Sequence, residues 1–107
     1  MKFDHYGVPT TEDHPGAGYH PVLKLHYSSS INPLFRIEHL KFDPDCIYSK
    51  EITSATHLAF EVDDIDGALE GIETYRLLHP KIAVSDTLTI CYIGIDGLVV
   101  ELMERKS

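Results

Sequence analysis

Residues 57–64 read His-Leu-Ala-Phe-Glu-Val-Asp-Asp, and this stretch decides the fold. Successive side chains of a strand point to opposite faces, so the stretch has one apolar face and one mixed face. The apolar face consists of Leu58, Phe60 and Val62, and the mixed face consists of His57, Ala59 and Glu61. Asp63 or Asp64 can then cap the first turn of a helix. We therefore predict a strand over residues 57–62 that leads directly into a helix.

The rest of the second half predicts one helix and three further strands. Apolar residues recur at helical spacing between positions 64 and 74, at Ile65, Ala68, Leu69 and Ile72. Pro80 excludes a helix that runs through it. Strands are predicted at 81–84, 88–93 and 98–104, with a turn at 94–97. The predicted order for residues 57–107 is therefore β-α-β-β-β.

The last predicted strand places an acidic residue among apolar ones. One of its faces consists of Val99, Glu101 and Met103, and the other consists of Leu98, Val100 and Leu102. The second face suits packing against the helix, as does the apolar face of the 57–62 strand. His57 and Glu101 therefore point the same way, away from the helix. Each has a simpler alternative: His57 can be a strand-initial residue bonded to the backbone, and Glu101 can face solvent.

The first half is a looser copy of this unit. Strands are predicted at 2–8, 22–27 and 34–42, with a loop at 10–21 and a turn at the serines and Asn-Pro after Tyr27. Residues 43–56 are ambiguous, and a short edge strand is one interpretation of 46–48. His5 and Glu38 match the strand positions of His57 and Glu101. This indicates a weak internal duplication whose first unit has a loop in place of the helix.

The two halves contribute two histidines and two carboxylates to a candidate metal site at their seam. These residues are His5, Glu38, His57 and Glu101. Neutral imidazoles together with carboxylates suit divalent Zn, Ni, Mn, Fe or Co, and four such ligands leave positions for water or substrate. A shift of one residue in strand register would exchange Glu38 for His39, so both stay candidates for the first-half acidic position.

Other polar residues have simpler interpretations. Glu61 shares the face of His57 but is typical of a solvated strand end.

Cys46 and Cys91 lie far apart without CxxC spacing, which favours free buried thiols over a disulfide. The long loop forms either a lid over the site or an ordinary polar loop, and the second is favoured. The loop residues concerned are His14, Tyr19 and His20.

Composition restricts the class of partner. The chain has 107 residues, 43% of them apolar, which favours one domain. The order of predicted elements divides this domain into a reduced first module at 1–56 and a βαβββ second module at 57–107. Nine basic residues against 17 acidic ones give a net charge of −8, which argues against nucleic acid or an anionic membrane as partner. No apolar run reaches membrane-spanning length and the first residues lack the apolar stretch of a signal peptide, so we expect a cytoplasmic protein.

The sequence resembles the vicinal oxygen chelate superfamily, which includes glyoxalase I, bleomycin-resistance proteins and extradiol dioxygenases. Residues 57–65 with Ala68 and Leu69, and residues 97–102, carry the resemblance, and residues 4–9 resemble the opening strand of the family. The resemblance implies an α+β fold in which paired βαβββ-type modules form a curved mixed sheet around a cleft. Here the first module lacks its helix. Family members usually pair, so a homodimer is expected.

The resemblance also implies a function. A histidine on the first strand and an acidic, Gln or His residue on the last strand of each module hold the metal in this family. The matching positions are His5, Glu38, His57 and Glu101. We expect a glyoxalase-like enzyme with a divalent metal (Zn, Ni, Mn or Fe) that chelates vicinal oxygens of a small oxygen-rich substrate, with lyase or isomerase chemistry favoured. Glu101 or Glu38 would move a proton. A dioxygenase would instead need iron held by His5, His57 and Glu101.

Two other functions stay open. One is a metal-free protein that sequesters a small ligand in the cup, as bleomycin-resistance proteins do. The other is an interaction module whose cup is vestigial and filled by Leu, Phe or Tyr side chains. The chain has no clear counterpart of the arginine and asparagine set with which glyoxalase I binds glutathione, so glutathione is not expected as a co-substrate.

Overall fold

The computed structural model describes residues 1–106 and has an α+β fold. Its strands are β1 Lys2–Pro9, β2 Gly18–His20, β3 Leu25–Ile31, β4 Arg36–Phe42, β5 His57–Val62, β6 Arg76–Ala83, β7 Leu88–Ile95 and β8 Leu98–Arg105. Its helices are α1, Lys50–Thr53, and α2, Ile65–Glu70. Within the described residues, no helix has the length and apolar character needed to cross a membrane.

The strands form one mixed, curved sheet with the order β2-β3-β4-β1-β5-β8-β7-β6. The first strands of the two halves, β1 and β5, are antiparallel neighbours at its centre. Each is parallel to the last strand of its own half, β4 or β8. The two halves are therefore arranged alike, and a loop rather than a helix connects β1 to β2. The predicted α+β fold with a curved mixed sheet around a cleft is confirmed.

Helix α2 covers the convex face of the second half. Asp64 caps it, because its carboxylate accepts a hydrogen bond of 2.8 Å from the Gly67 N–H. Ile65 is fully buried among the residues that the alternation assigns to this face: Leu58, Phe60, Val62, Val100 and Leu102. The helix ends at Glu70 rather than at 74, because the N–H groups of Gly71 and Ile72 bond three residues back and tighten the last turn.

Strand boundaries in the first half differ from the prediction. Lys24 adopts a φ of 56°, so the turn lies before β3, and the strand predicted at 22–27 begins only at Leu25. The three serines predicted to form a turn belong to β3 and pair along β4, with Ser29 opposite Glu38. Cross-strand pairing here outweighs the low intrinsic strand propensity of serine. The predicted loop at 10–21 also contains the short strand β2.

Two further segments depart from the prediction. Residues 46–48 form no strand, and the chain instead enters α1, whose fully buried Ile52 packs into the concave-face core. Strand β6 begins at Arg76 rather than at Lys81 and therefore includes Pro80. This is an edge strand, and Pro80 lies at a break in its pairing with β7, where a missing N–H costs no ladder hydrogen bond.

The loop between β1 and β2 packs on the convex face of the first half. Asp13 forms an ion pair with Lys41 of β4, and the ring of His14 stacks on that of His39 with centroids 5.0 Å apart. The loop thus occupies the place that α2 has in the second half. His14 consequently lies on the side of the sheet away from the cup and forms no lid over it.

Candidate metal centre

The strand register brings two histidines together at the centre of the concave face. Strands β1 and β5 pair so that His5 lies opposite Ala59 and Gly7 lies opposite His57. Each histidine therefore faces a small residue of the other strand. A Cβ atom at Gly7 would overlap the His57 ring, so glycine leaves the space that the imidazole fills. The two histidine rings are edge to face, with centroids 5.8 Å apart.

The two carboxylates reach this face through equivalent registers. On β8, Glu101 pairs with the residue two after His57, and on β4, Glu38 pairs with the residue two after His5. The two halves therefore have the same spacing between histidine and carboxylate. Successive residues alternate between faces, so Glu38 lies on the concave side and His39 on the convex side. Glu38 is therefore the residue of this pair that joins the site.

Three of the four candidate ligands lie within metal-bonding reach of one another. His57 Nε2 is 3.2 Å from Glu101 Oε1, and His5 Nε2 is 3.6 Å from the same oxygen. Metal–ligand bonds of about 2.0–2.2 Å place two ligands of one ion roughly 3–3.5 Å apart. Glu38 Oε2 lies farther out, 3.9 Å from His5 Nε2. His5, His57 and Glu101 thus form a compact donor set, and Glu38 lies at its edge.

The two histidines each carry a ring nitrogen that has no hydrogen-bond partner in the described part of the chain. His5 and His57 are 2% and 1% exposed, and among residues 1–106 neither Nε2 atom has a hydrogen-bond partner. Buried polar nitrogens nearly always have one. A divalent ion held between both Nε2 atoms and the Glu101 carboxylate would satisfy them. Glu101 is itself only 7% exposed, so it faces the cup rather than solvent.

Asp4 contacts the other nitrogen of His5. Asp4 Oδ2 lies 2.6 Å from His5 Nδ1, and the Arg36 guanidinium donates to the same carboxylate oxygen. Burial raises the pKa of Asp4, but the hydrogen bond with His5 and the charge of Arg36 outweigh it and hold that pKa below its ordinary value. Asp4 is therefore an ionised acceptor beside the His5 ring.

Two more groups at the site have raised pKa values. Burial raises the pKa of Glu38 above its ordinary value, against the opposing effect of His5. Tyr92 lies edge-on to the His57 ring, with centroids 5.2 Å apart. Its burial and the negative charge of Glu101 raise the pKa of Tyr92 well above its ordinary value, so its hydroxyl keeps its proton. Glu38 is thus the carboxyl best suited to exchange a proton.

The site lies in a cavity of about 360 Å³ on the concave face. Much of the wall is apolar and includes Leu23, Leu25, Leu40, Leu88, Ile90 and Met103. Polar groups are supplied by Arg36, Arg105 and Ser29. The cup is thus an open space with a polar end rather than a region filled by Leu, Phe or Tyr side chains, which argues against the vestigial interpretation.

His20 closes the cavity between the two halves. Its Nδ1 accepts a hydrogen bond of 3.2 Å from the Leu23 N–H, so its Nε2 carries the proton and donates to the Val84 carbonyl at 2.9 Å. This histidine is fully engaged and forms part of the wall. The neighbouring Tyr19 donates instead to Asp43 and takes no part in the cavity.

Sequence reasoning missed Asp4, Arg36 and Gly7. Simple alternation places Asp4 and His5 on opposite faces, and only the skipped pairing between Phe3 and His5 reveals a bulge at Asp4. Gly7 offered a signal that could have been used, since glycine inside a strand often marks a close approach of another group.

Comparison with known proteins shows the fold but no family. No protein-family model matches the chain, and no curated protein matches it. Eight chains of solved structure do match. One is a hypothetical protein from Bacillus halodurans C-125, with a TM-score of 0.73, 15% identity, and coverage of 99% of this chain and 95% of its own. At this identity the likeness shows the curved-sheet fold alone.

Proposed function

We propose that the protein is a metal-dependent enzyme of the vicinal oxygen chelate superfamily, with glyoxalase-like lyase or isomerase chemistry. One observation carries the proposal: two buried histidine Nε2 atoms, without hydrogen-bond partners in the described residues, face the Glu101 carboxylate in an open cavity. His20, a histidine of the cavity wall, differs from them because both of its ring nitrogens are hydrogen-bonded. The superfamily resemblance of residues 57–65 and 97–102 supports the same function.

Some residues of the site would bind the metal ion, and another would transfer a proton. His5, His57 and Glu101 would hold a divalent ion (Zn, Ni, Mn or Fe) that, when bound, supplies a Lewis acid stabilising negative charge on neighbouring substrate oxygens. Glu38 would take a proton from the carbon beside those oxygens and return it, because its pKa is raised and it lies at the edge of the donor set. Glu101, the other candidate base, lies close to both histidines and suits a ligand better.

The volume and lining of the cavity restrict the size and polarity of the substrate. Its volume of about 360 Å³ is near the lower end of the range for small-molecule pockets. The polar end suits a group with two adjacent oxygens, and the apolar wall suits a short hydrocarbon part. We therefore propose a small oxygen-rich substrate with one apolar portion.

Metal analysis of protein purified without a His tag tests the proposal. We expect about one divalent ion per chain in the wild type, and none in His57→Ala. His39→Ala is the matched control: it removes a histidine of β4 whose ring lies on the convex face, and it should leave the metal content unchanged. Circular dichroism must show that both variants fold. Absence of metal from all three folded proteins after incubation with Zn, Ni, Mn or Fe(II) would contradict the proposal.

The apolar wall also favours a second candidate, a metal-free protein that sequesters a small ligand. It predicts that ligand binding survives both chelation and His57→Ala. The metal-dependent function predicts that both treatments abolish binding of an oxygen-chelating ligand such as a hydroxamate. Isothermal titration with the same hydroxamate, before and after chelation, therefore separates the two candidates.

A further inference from the structure

A β-bulge brings Asp4 and His5 into contact. Along β1 and β5, Phe3 pairs with Phe60 but His5 pairs with Ala59, so Asp4 is an extra residue without a partner. In a regular strand two successive side chains point to opposite faces, whereas a bulge re-aims one of them. The result is the 2.6 Å contact between Asp4 Oδ2 and His5 Nδ1.

Asp4 and Arg36, which have opposite hydrogen-bonding character, compete for Nδ1 of His5. The Asp4 carboxylate only accepts, so it requires a proton on Nδ1 and leaves a lone pair on Nε2. The Arg36 guanidinium only donates, and its Nη2 lies 3.4 Å from the same Nδ1. A hydrogen bond from Arg36 would put the His5 proton on Nε2 instead. That tautomer presents an N–H, not a lone pair, to the cavity.

The geometry favours Asp4 over Arg36. The Asp4 contact is the shorter of the two, and Arg36 donates to the Asp4 carboxylate itself. Arg36 therefore holds Asp4 in place, and the closer of its two Nη2 contacts is the one with Asp4 rather than the one with His5. His5 is 2% exposed, so water cannot readily take over the role of the carboxylate at this ring.

We propose that Asp4 is a positioning residue that selects the His5 tautomer with a free Nε2 lone pair, and that Arg36 fixes Asp4 for this purpose. The inference rests on the proposed function, because it takes His5 as a metal ligand. It goes beyond that function in assigning a role to two residues outside the donor set. Removing Asp4 would do more than loosen the ring, since Arg36 would then favour the tautomer whose Nε2 must give up its proton before it can bind metal.

Metal titration of Asp4 variants gives the first test. Loss of an outer-shell carboxylate typically weakens metal affinity about 10- to 100-fold, and we expect this for Asp4→Ala. Asp4→Asn keeps a carbonyl acceptor for Nδ1–H and should weaken affinity less. Asp13→Ala is the matched control, because it removes another aspartate paired with a cation, on the convex face and away from the donor set. Its affinity should equal that of the wild type.

The His5 tautomer, read by long-range ¹H–¹⁵N NMR of metal-free protein, gives the second test. His5→Gln identifies the signals of this ring among those of the seven histidines. We expect a proton on Nδ1 in the wild type and Asp13→Ala, and on Nε2 in Asp4→Ala. A merely structural role for Asp4 would lower the thermal unfolding midpoint without moving the proton.

The outcomes separate this inference from the proposed function. If the wild type binds no metal, the proposed function is overturned, and the role of Asp4 in positioning a metal ligand is overturned too. A wild type that binds metal, with Asp4→Ala binding equally tightly or keeping its proton on Nδ1, overturns only the role of Asp4.

Discussion

Substitution of Gly7 by alanine should damage the site through His57, although Gly7 itself has no functional group. The added methyl would overlap the His57 ring. That ring is 1% exposed and is packed edge-on against Tyr92 and His5, with centroids 5.2 and 5.8 Å away, so it has little room to retreat. Overpacking of this kind costs about 1–3 kcal/mol of unfolding free energy. Metal affinity should fall more than tenfold, because the ring that carries one ligand atom must move.

Thermal unfolding and metal titration measure the two effects. A loss of 1 kcal/mol lowers the unfolding midpoint of a domain of this size by about 4–8 °C, so a cost of about 1–3 kcal/mol should make chelated Gly7→Ala melt roughly 4–24 °C below the wild type. Gly71→Ala is the control, since its Cβ would meet only an ordinary contact of 3.5 Å at the end of α2. It should be neutral or stabilising.

A double-mutant cycle tests the cause directly. In a His57→Ala background the ring is gone, so the alanine methyl at position 7 should fit and cost far less than in the wild type. If Gly7→Ala is as destabilising without His57 as with it, or if it leaves metal affinity unchanged in the wild type, the steric argument is refuted.

Three other predictions concern the scaffold around the site. Asp64→Ala removes the cap of α2 and should lower the free energy of unfolding, measured in urea, by about 0.5–2 kcal/mol. Asp63→Ala should leave it almost unchanged, and equal losses in the two variants would contradict the capping assignment. His20→Ala removes the 2.9 Å hydrogen bond to the Val84 carbonyl and should destabilise the metal-free protein by about 1–3 kcal/mol. An unchanged urea midpoint would show that this hydrogen bond does not stabilise the contact between the two halves. The expected homodimer should sediment at twice the mass of one chain, and a monomer at all concentrations would exclude it.

Much of the second half was predictable because local sequence and tertiary packing agree there. The alternation at 57–62 and 98–104 matches strands that bury one face under α2, and it placed His57 and Glu101 on the same side of the sheet. A capping aspartate at position 63 or 64 also followed from local chemistry, and the structure shows that Asp64 is the cap. In such segments each residue's own preference coincides with its environment.

The structure of the first half was harder to predict because it depends on pairing with strands that are distant in sequence. The serines of β3 form a strand only through pairing with β4, and the turn before them depends on the left-handed conformation of Lys24, for which the sequence gives little signal. The choice of Glu38 over His39 depended on register, which the sequence left open. The bulge at Asp4 arises from pairing with β5 and cannot be read from the alternation of β1.

Anomalous diffraction from crystals of the metal-loaded protein, grown without a His tag, tests the central claim most directly. The account predicts one strong peak per chain within about 2.0–2.2 Å of the Nε2 atoms of both His5 and His57, with a Glu101 oxygen at a similar distance. An empty position there at saturating metal, or a peak only at the histidines of the convex face such as His14 and His39, would contradict it.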